Sequence, residues 1–412
     1  MKNKLLKPFI TTQPKDVLHI YHKTNQIKTN MKIQKLLLLV LSVSFLISCE
    51  KDSESAPLAE SSISGKFLAP NDIDPIVNGI ITASKDGTIV SETISATDGS
   101  FTLTNLSAGE YEISLKKGLF SSTRAVEVAE DDDLDIPNIP IESFPRIGVV
   151  TGNYDNIESV LYDIGLVNPF TQEPLFDIIQ GTGIGRPAAN TGHHGHNHGN
   201  DVGIFLPENN NNLQPNVTHT FSDLVASPNL LGTYDIIFLN CGLSESFTGF
   251  NDNILQYVSN GGILYATDWA YKYVEGITGD GQQYIDFLDN DKSGNSLSTE
   301  ATIFDQDLID WLQVNFNITL NNNDTILLDE FLPGWQVVDS ANDATVISWF
   351  NGPVTYRDNV GATVTQNKDL AFTFQVGNGG VFYSSFHTEN HDDGFSTVDR
   401  LLEYLVFELS SL

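Results

Sequence analysis

The chain has 412 residues, 40% of them hydrophobic, with 21 Lys and Arg against 53 Asp and Glu and a formal net charge of −32. Eight of the basic residues and one acidic residue fall in the first 48 positions, which leaves 13 basic and 52 acidic residues beyond Ser48, a net charge of −39. A surface of that sign repels phosphate backbones and anionic lipid, so it argues against a nucleic-acid partner, gives no reason to expect a nucleotide cofactor, and favours attraction of divalent cations.

Residues 1–30 are polar and patternless, and a well-formed signal peptide opens at Met31. The first 30 residues therefore read as an upstream start-codon artefact and leave the fold argument. Lys32 and Lys35 precede an apolar run, Leu36–Ile47, that is shorter than the ~20 residues needed to span a bilayer, so residues 31–48 read as a signal peptide. Leu46-Ile47-Ser48-Cys49 resembles the lipobox of bacterial lipoproteins. The resemblance implies that Cys49 is lipidated and leads the mature chain, and that Glu50 behind it does not favour inner-membrane retention. The expected address is the outer membrane, periplasmic or surface face, with the membrane as a partner through the lipid. The alternative, a buried apolar helix with a chance cysteine, fits poorly with the Ser-rich polar sequence that follows. Cys49 and Cys241 are the only cysteines, so no intrachain disulfide is expected even in an export compartment that permits one.

The roughly 360 mature residues suggest two or three domains. Residues 49–63, rich in Ser, Glu and Ala, suit a flexible tether. Short alternating strands follow at 65–68, 79–83, 88–91, 100–103 and 110–115, separated by Gly, Asp and Asn turn signals, which predicts a small antiparallel β-sandwich over 64–142. The stretch Asp98-Gly99-Ser100-Phe101-Thr102-Leu103, continuing to Ala108-Gly109-Glu110-Tyr111, resembles the signature of carboxypeptidase-regulatory-like domains, which implies a spacer or accessory module. Glu130–Asp135 reads as a solvated acidic turn before a Pro137/Pro140 linker, or as a calcium patch.

Beyond Pro145 the strands stop alternating. Residues 146–152, 234–240, 261–267 and 379–386 are apolar runs, and helical spacing appears at 157–165, 253–258 and 396–407. Strands alternating with helices predict an α/β domain over 146–412, a doubly wound, flavodoxin-like parallel sheet with insertions near 180–215 and 276–303 and its site beyond the carboxyl ends of the strands. The strand Tyr234-Asp235-Ile236-Ile237-Phe238-Leu239-Asn240, the strand introduced by Gly261-Gly262, and the late His387-Thr388-Glu389 resemble the class I glutamine amidotransferase-like superfamily, including its trehalose-utilisation-type members. That resemblance implies a strained strand-to-helix turn bearing a cysteine nucleophile, paired with His and Glu. Here the turn reads Ala266-Thr267-Asp268-Trp269-Ala270, with Asp268 or Thr267 in the nucleophile's place and no cysteine. Cys241, at the end of the neighbouring strand, either substitutes as nucleophile or packs as a small apolar group.

Three segments offer metal ligands. His387, Glu389 and His391 would emerge on one face if the last strand continues that far, a set suited to zinc or another divalent transition metal. The tract 192–200 holds His193, His194, His196 and His198 among glycines, and reads either as a chelating site or as a flexible insertion. Asp289, Asp291, Ser293 and Glu300 take the first, third, fifth and twelfth positions of a loop that resembles an EF-hand, with Gly294 sixth and helical spacing on both sides, which implies calcium. Ser296 stands where that family carries an apolar residue, and a capped turn between helices is the other reading. Three functions follow: an envelope lipoprotein whose amidotransferase-like domain binds a ligand or metal without catalysis; a hydrolase of carbohydrate or peptide material using Asp268, His387 and Glu389; or a calcium-stabilised structural surface protein.

Overall fold

Alternation of apolar and polar residues shapes the first part of the chain. The computed structural model describes residues 61–181, 213–243, 251–279, 282–288, 294, 298–321, 324–328, 331, 334–358, 360–388 and 396–409. It opens with β1 (Ser61–Leu68), β2 (Ile80–Lys85), β3 (Thr88–Ile94), β4 (Ser100–Leu106), β5 (Gly109–Lys117) and β6 (Phe120–Val128), followed by the short β7 (Asp133–Asp135) and β8 (Ile139–Pro140). One sheet runs β4-β1-β7 with β8 also on β1, and the other runs β3-β2-β5-β6. Residues two apart share a strand face, so Phe101 and Leu103 of β4 and Tyr111, Ile113 and Leu115 of β5 meet Ile63, Phe67, Ile81 and Ala83 in one core. The arrangement is compatible with the expected β-sandwich. Gly99 makes the turn into β4 at φ +76°, where a Cβ would come within 2.6 Å of the Phe67 carbonyl, so this turn requires glycine.

The edges of this unit differ from expectation. β1 starts at Ser61, inside the stretch read as tether, because the Ser61 hydroxyl donates to Ala129 O at 2.9 Å and accepts from Asp132 N at 3.1 Å. The acidic run is not only a turn: β7 pairs parallel with β1, and Asp133 and Asp135 accept from the Ser62 and Ser64 hydroxyls at 2.7 and 3.2 Å. The proline segment adds β8 to the same strand.

Continuous apolar runs then build a larger sheet. Its strands are β9 (Ile147–Val150), β10 (Asp177–Ile179), β11 (Ile236–Leu239) and β12 (Ile263–Thr267), interleaved with helices α1 (Ile157–Asp163), α2 (Phe221–Ala226), α3 (Pro228–Leu231), α4 (Asn251–Ser259) and α5 (Tyr271–Glu275). Two small ribbons follow: β13 (Thr278–Gly279) pairs with β14 (Gln282–Gln283), and β15 (Ile285–Phe287) pairs with a later strand, Val338–Ala341. The chain continues as β16 (Thr299–Ile303), α6 (Gln306–Phe316), β17 (Thr325–Leu328), β18 (that same Val338–Ala341), β19 (Ile347–Arg357), β20 (Thr363–Val376), β21 (Gly379–Ser384) and α7 (Thr397–Leu409).

The nine-stranded order is β10-β9-β11-β12-β21-β20-β19-β16-β17. Neighbours from β10 to β21 are parallel and all later neighbours are antiparallel, so the expectation of a parallel sheet holds for five strands and is corrected for four. The reason is the β19–β20 hairpin. Its turn is closed by Asp358, whose carboxylate accepts from Val360 N at 3.0 Å and Ala362 N at 2.8 Å, and antiparallel strands need no crossover helix.

The described residues from Ser61 onward form one compact unit, and the sandwich shares its core with the larger sheet's helices. Trp311 of α6 donates from Nε1 to Pro75 O at 2.8 Å, Asn315 Nδ2 to Thr97 O at 3.0 Å, and the Arg400 guanidinium of α7 to Asp74 at 2.9 Å. Among the described residues no helix is long and apolar enough to cross a membrane.

Candidate metal centre

Parallel strands bring whatever follows their last residue to one rim of the sheet. Leu239 pairs with Ala266, and Thr267 with Ser384, so β11, β12 and β21 end level with one another. Cys241 follows β11, Asp268 follows β12, and His387 stands three residues past β21. Their donor atoms, one from each side chain, lie within 4.8 Å of one another, and the residues are 1%, 2% and 0% exposed. His387 Nε2 is 3.2 Å from Asp268 Oδ2, and the Cys241 thiol donates to the same oxygen at 3.6 Å. The other Asp268 oxygen accepts from Gln336 N at 2.6 Å.

Asp268 sits at φ +35°, where β12 turns sharply into a 3-10 segment and then α5. A non-glycine residue is uncommon there, and such a conformation costs about 1–3 kcal/mol unless its surroundings hold it. The Gln336 amide on the side chain and the Tyr383 hydroxyl, which donates to Asp268 O at 3.3 Å, do the holding.

The electrostatics follow from burial and proximity. Burial pushes the Cys241 thiol up to about 12, and the neighbouring Asp268 charge acts in the same direction. Burial opposes a charge on His387, but the adjoining Cys241 and Asp268 more than offset it, so the imidazole titrates well above its ordinary range. Burial thus disfavours the thiolate, and a buried protonated thiol is a poor nucleophile. Sulfur, nitrogen and carboxylate oxygen converging at this spacing are instead a donor set that can hold a metal ion.

A shell of buried polar residues surrounds the group. Asp155 Oδ1 accepts from Thr388 N at 2.8 Å, from the Thr388 hydroxyl, and from Asn156 N at 3.1 Å. Asn240 Nδ2 donates to Glu158 Oε2 at 2.7 Å and to Asp155 O at 3.2 Å. Burial raises the Asp155 carboxyl, against the opposing pull of the His387 charge and the Thr267 and Thr388 hydroxyls. A separate cavity of about 300 Å³ opens at the other end of β11 and β12, beside Asp235 and Gly262.

Of the residues singled out in the sequence, Asp268 and His387 come together. Thr267 does not take the turn position: it closes β12, and its hydroxyl donates to Leu239 O at 3.4 Å. β21 ends at Ser384, so His387 lies beyond the strand whose alternating face was expected to carry it. Cys49, His193, His194, His196, His198, Asp289, Asp291, Ser293, Glu389 and His391 lie outside the described residues.

The helices expected around the calcium loop are also corrected. β15 precedes it and β16 follows it, with Ile303 in the strand, and only Leu308, Trp311 and Leu312 are helical, in α6. Glu300 belongs to β16 and accepts from Asn321 Nδ2 at 2.6 Å and the Thr325 hydroxyl at 3.2 Å. Gly294 has a packing role: a Cβ there would come within 2.1 Å of the buried Trp335 indole. No motif in the sequence points to Asp155, Glu158 or Asn240 as members of this shell. The polar run that follows the small residues after β9 was the available signal.

No protein-family model matches the chain, and no curated protein matches it. Among solved structures, 5-hydroxyisourate hydrolase of Klebsiella pneumoniae is 16% identical, over 20% of this chain and 96% of its own, with a TM-score of 0.16. The major pilin subunit BcpA of Bacillus cereus is 12% identical, over 21% of this chain and 31% of its own, at 0.18. β-Galactosidase from Bacillus circulans sp. alkalophilus is 11% identical, over 45% of this chain and 23% of its own, at 0.26. At these TM-scores none of the likenesses bears on fold or function.

Proposed function

We propose that the chain is an envelope lipoprotein whose larger domain holds a divalent transition metal, of the zinc class, through Cys241, Asp268 and His387, and does not act as an amidotransferase. The observation that carries this reading is the convergence of the three donor atoms within 4.8 Å at level strand ends. Charge supports it as well. A thiolate and a carboxylate together balance a divalent cation, while the imidazole binds as the neutral base, so the loaded centre carries no net charge into a buried place. Loading removes the thiol proton, and the metal's own charge supplies the stabilisation that burial withholds.

In the purified full-length chain, about one equivalent of zinc is expected by mass spectrometry of the metals. Cys241→Ala and His387→Ala should each lose most of it while keeping the circular dichroism of the wild type. Added cobalt(II) should give a thiolate-to-metal charge-transfer band that Cys241→Ala abolishes. A metal-free wild type that also fails to develop the cobalt band would end this reading.

The larger domain is proposed to be of the flavodoxin-like α/β type, related to class I glutamine amidotransferases. Its parallel strands support this: numbered by their place in the chain, they lie second, first, third, fourth and last across the sheet, the order of that fold. The sharp turn at Asp268 supports it too, because the fold places its nucleophile at such a turn. Here the turn carries a carboxylate tied to Gln336 and His387, and both Asp268 and His387 are closed to solvent. That stands against the hydrolase reading.

Anchorage through Cys49 completes the proposal, resting on the lipobox-like tetrapeptide. Cys49→Ala is expected to abolish acyl labelling and move the protein from the detergent phase to the aqueous phase on phase separation. Labelling that survives the substitution would remove the anchor from the proposal.

A further inference from the structure

Helix α4 carries a row of side chains that core packing does not explain. Asn253, Gln256 and Asn260 follow one another three and then four residues apart, while Ile254 and Val258 are buried in the core. Asn260 stands one residue past the helix, but its N–H still donates to Gln256 O at 3.0 Å, so the helical turn carries it onto the same side. A helix side packed on a neighbour is usually apolar, and a side left to solvent is usually charged. This row is neither. It lines the cavity of about 300 Å³ at the amino-terminal ends of β11 and β12, together with Asn229 of α3.

The buried part of the lining is held in place. Tyr257 is 5% exposed, and its hydroxyl is shared between Ile263 O at 3.1 Å and Asp235 O at 3.2 Å. Gly262 admits the ring, since a Cβ there would come within 2.3 Å of it. Asn253 donates through Nδ2 to Val225 O at 2.8 Å, which fixes its amide, and Asn229, Gln256 and Asn260 are exposed. Charge narrows the ligand. Among the described residues that line the cavity none is basic, and Asp235, the one carboxylate, already accepts from Arg146 N at 2.7 Å. An anion would meet no cation here and an acidic surface around it, and a metal ion would lack the several carboxylates that hold it. A peptide needs recesses for its side chains, and Pro228 is the one aliphatic side chain in the lining. Each carboxamide instead offers a donor and an acceptor side by side, which matches adjacent hydroxyl groups that also donate and accept.

We infer that this cavity binds a neutral hexose ring, alone or at the end of a glycan, through the carboxamides of Asn229, Asn253, Gln256 and Asn260. Its volume stands at the lower end of the about 300–1,000 Å³ of small-molecule sites, which suits one ring. The site lies at the opposite end of the parallel strands from Cys241, Asp268 and His387, so it is independent of the transition-metal reading.

The test is saturation-transfer NMR of the full-length chain with glucose, galactose, mannose and N-acetylglucosamine at millimolar concentration, followed by calorimetric titration of any sugar that binds. At least one should give a saturable signal. Gln256→Ala and Asn260→Ala replace exposed side chains outside the core, so each should keep the folded circular dichroism and weaken binding about tenfold, the loss expected when the hydrogen bonds of one amide go. Asp132→Asn, in the acidic run of the sandwich, should leave the affinity unchanged. The 6-phosphate of the sugar that binds should bind more weakly than its neutral parent. Absence of a signal from all four sugars, or full affinity in both Gln256→Ala and Asn260→Ala, overturns the site. Tighter binding of the 6-phosphate overturns the neutral class.

Discussion

Trp311→Ala is expected to lower the unfolding free energy by about 3–5 kcal/mol, the range for deleting a large aromatic side chain from a core. Trp311 lies in α6 but is buried against the sandwich as well as the larger sheet's helices, its ring centroid 4.7 Å from Phe316 and 5.5 Å from Tyr404. Its removal leaves a cavity and also strips Pro75 O of the indole donor at 2.8 Å. Trp311→Phe separates the two contributions. It refills most of the space but cannot donate, so its smaller loss reports the unpaired carbonyl, on the order of 1–3 kcal/mol. Urea unfolding of the three proteins makes the measurement. If Trp311→Ala costs under about 1 kcal/mol, the shared core between sandwich and sheet does not couple them.

The sandwich was legible because each strand states its own face. Phe101 and Leu103 alternate with threonine, and Asp98-Gly99 supplies the turn that only glycine fits. β6 was not legible, since Phe120–Val128 interrupts its alternation with Ser121, Ser122, Thr123 and Arg124. The parallel strands could be read from unbroken runs such as Ile236–Leu239, buried on both faces. β20 could not: its first half, Thr363–Lys368, is polar and mostly exposed at the outer end of the hairpin, and only Leu370–Phe374 carries the buried signal. A sequence window sees residue types, and the antiparallel half of this sheet is decided by pairing between distant segments.

The site divides the same way. The polar residue closing each apolar strand was visible, and so was the turn at Asp268. What joins Cys241 to Asp268 and His387 is the level ending of three strands separated by more than 20 residues, which is a property of register and not of any motif. In the calcium loop, oxygen-bearing residues at the right spacing suggest a ligand set, and two of its members also have other partners: Gly294 admits the Trp335 indole, and Glu300 accepts from Asn321 and from Thr325 of β17.

Arg400→Ala should destabilise the chain by about 3–5 kcal/mol near neutral pH, because it leaves the buried Asp74–Glu403 carboxyl pair without its shared cation. The Arg400 guanidinium donates to Asp74 at 2.9 Å and to Glu403 at 2.6 Å, and lies 4.1 Å from the centroid of the Phe316 ring. Burial pushes Glu403 well above the ordinary carboxyl range, with the Asp74 charge adding to the rise and Arg400 opposing it. The native state therefore holds a proton on Glu403 that the unfolded chain releases. That contribution to stability is fully present below the unfolded value, about 4.3, and is lost as pH rises through the folded value. Glu403→Gln removes the titration while keeping Arg400 on Asp74, so its stability should fall less steeply from mildly acidic to alkaline pH than that of the wild type. In Arg400→Ala the cation no longer opposes the rise, so the penalty should grow with pH and shrink in acid, where both carboxyls are protonated. Urea midpoints of the three proteins across a pH series check this, and a pH-independent cost for Arg400→Ala would show that the triad acts through packing alone.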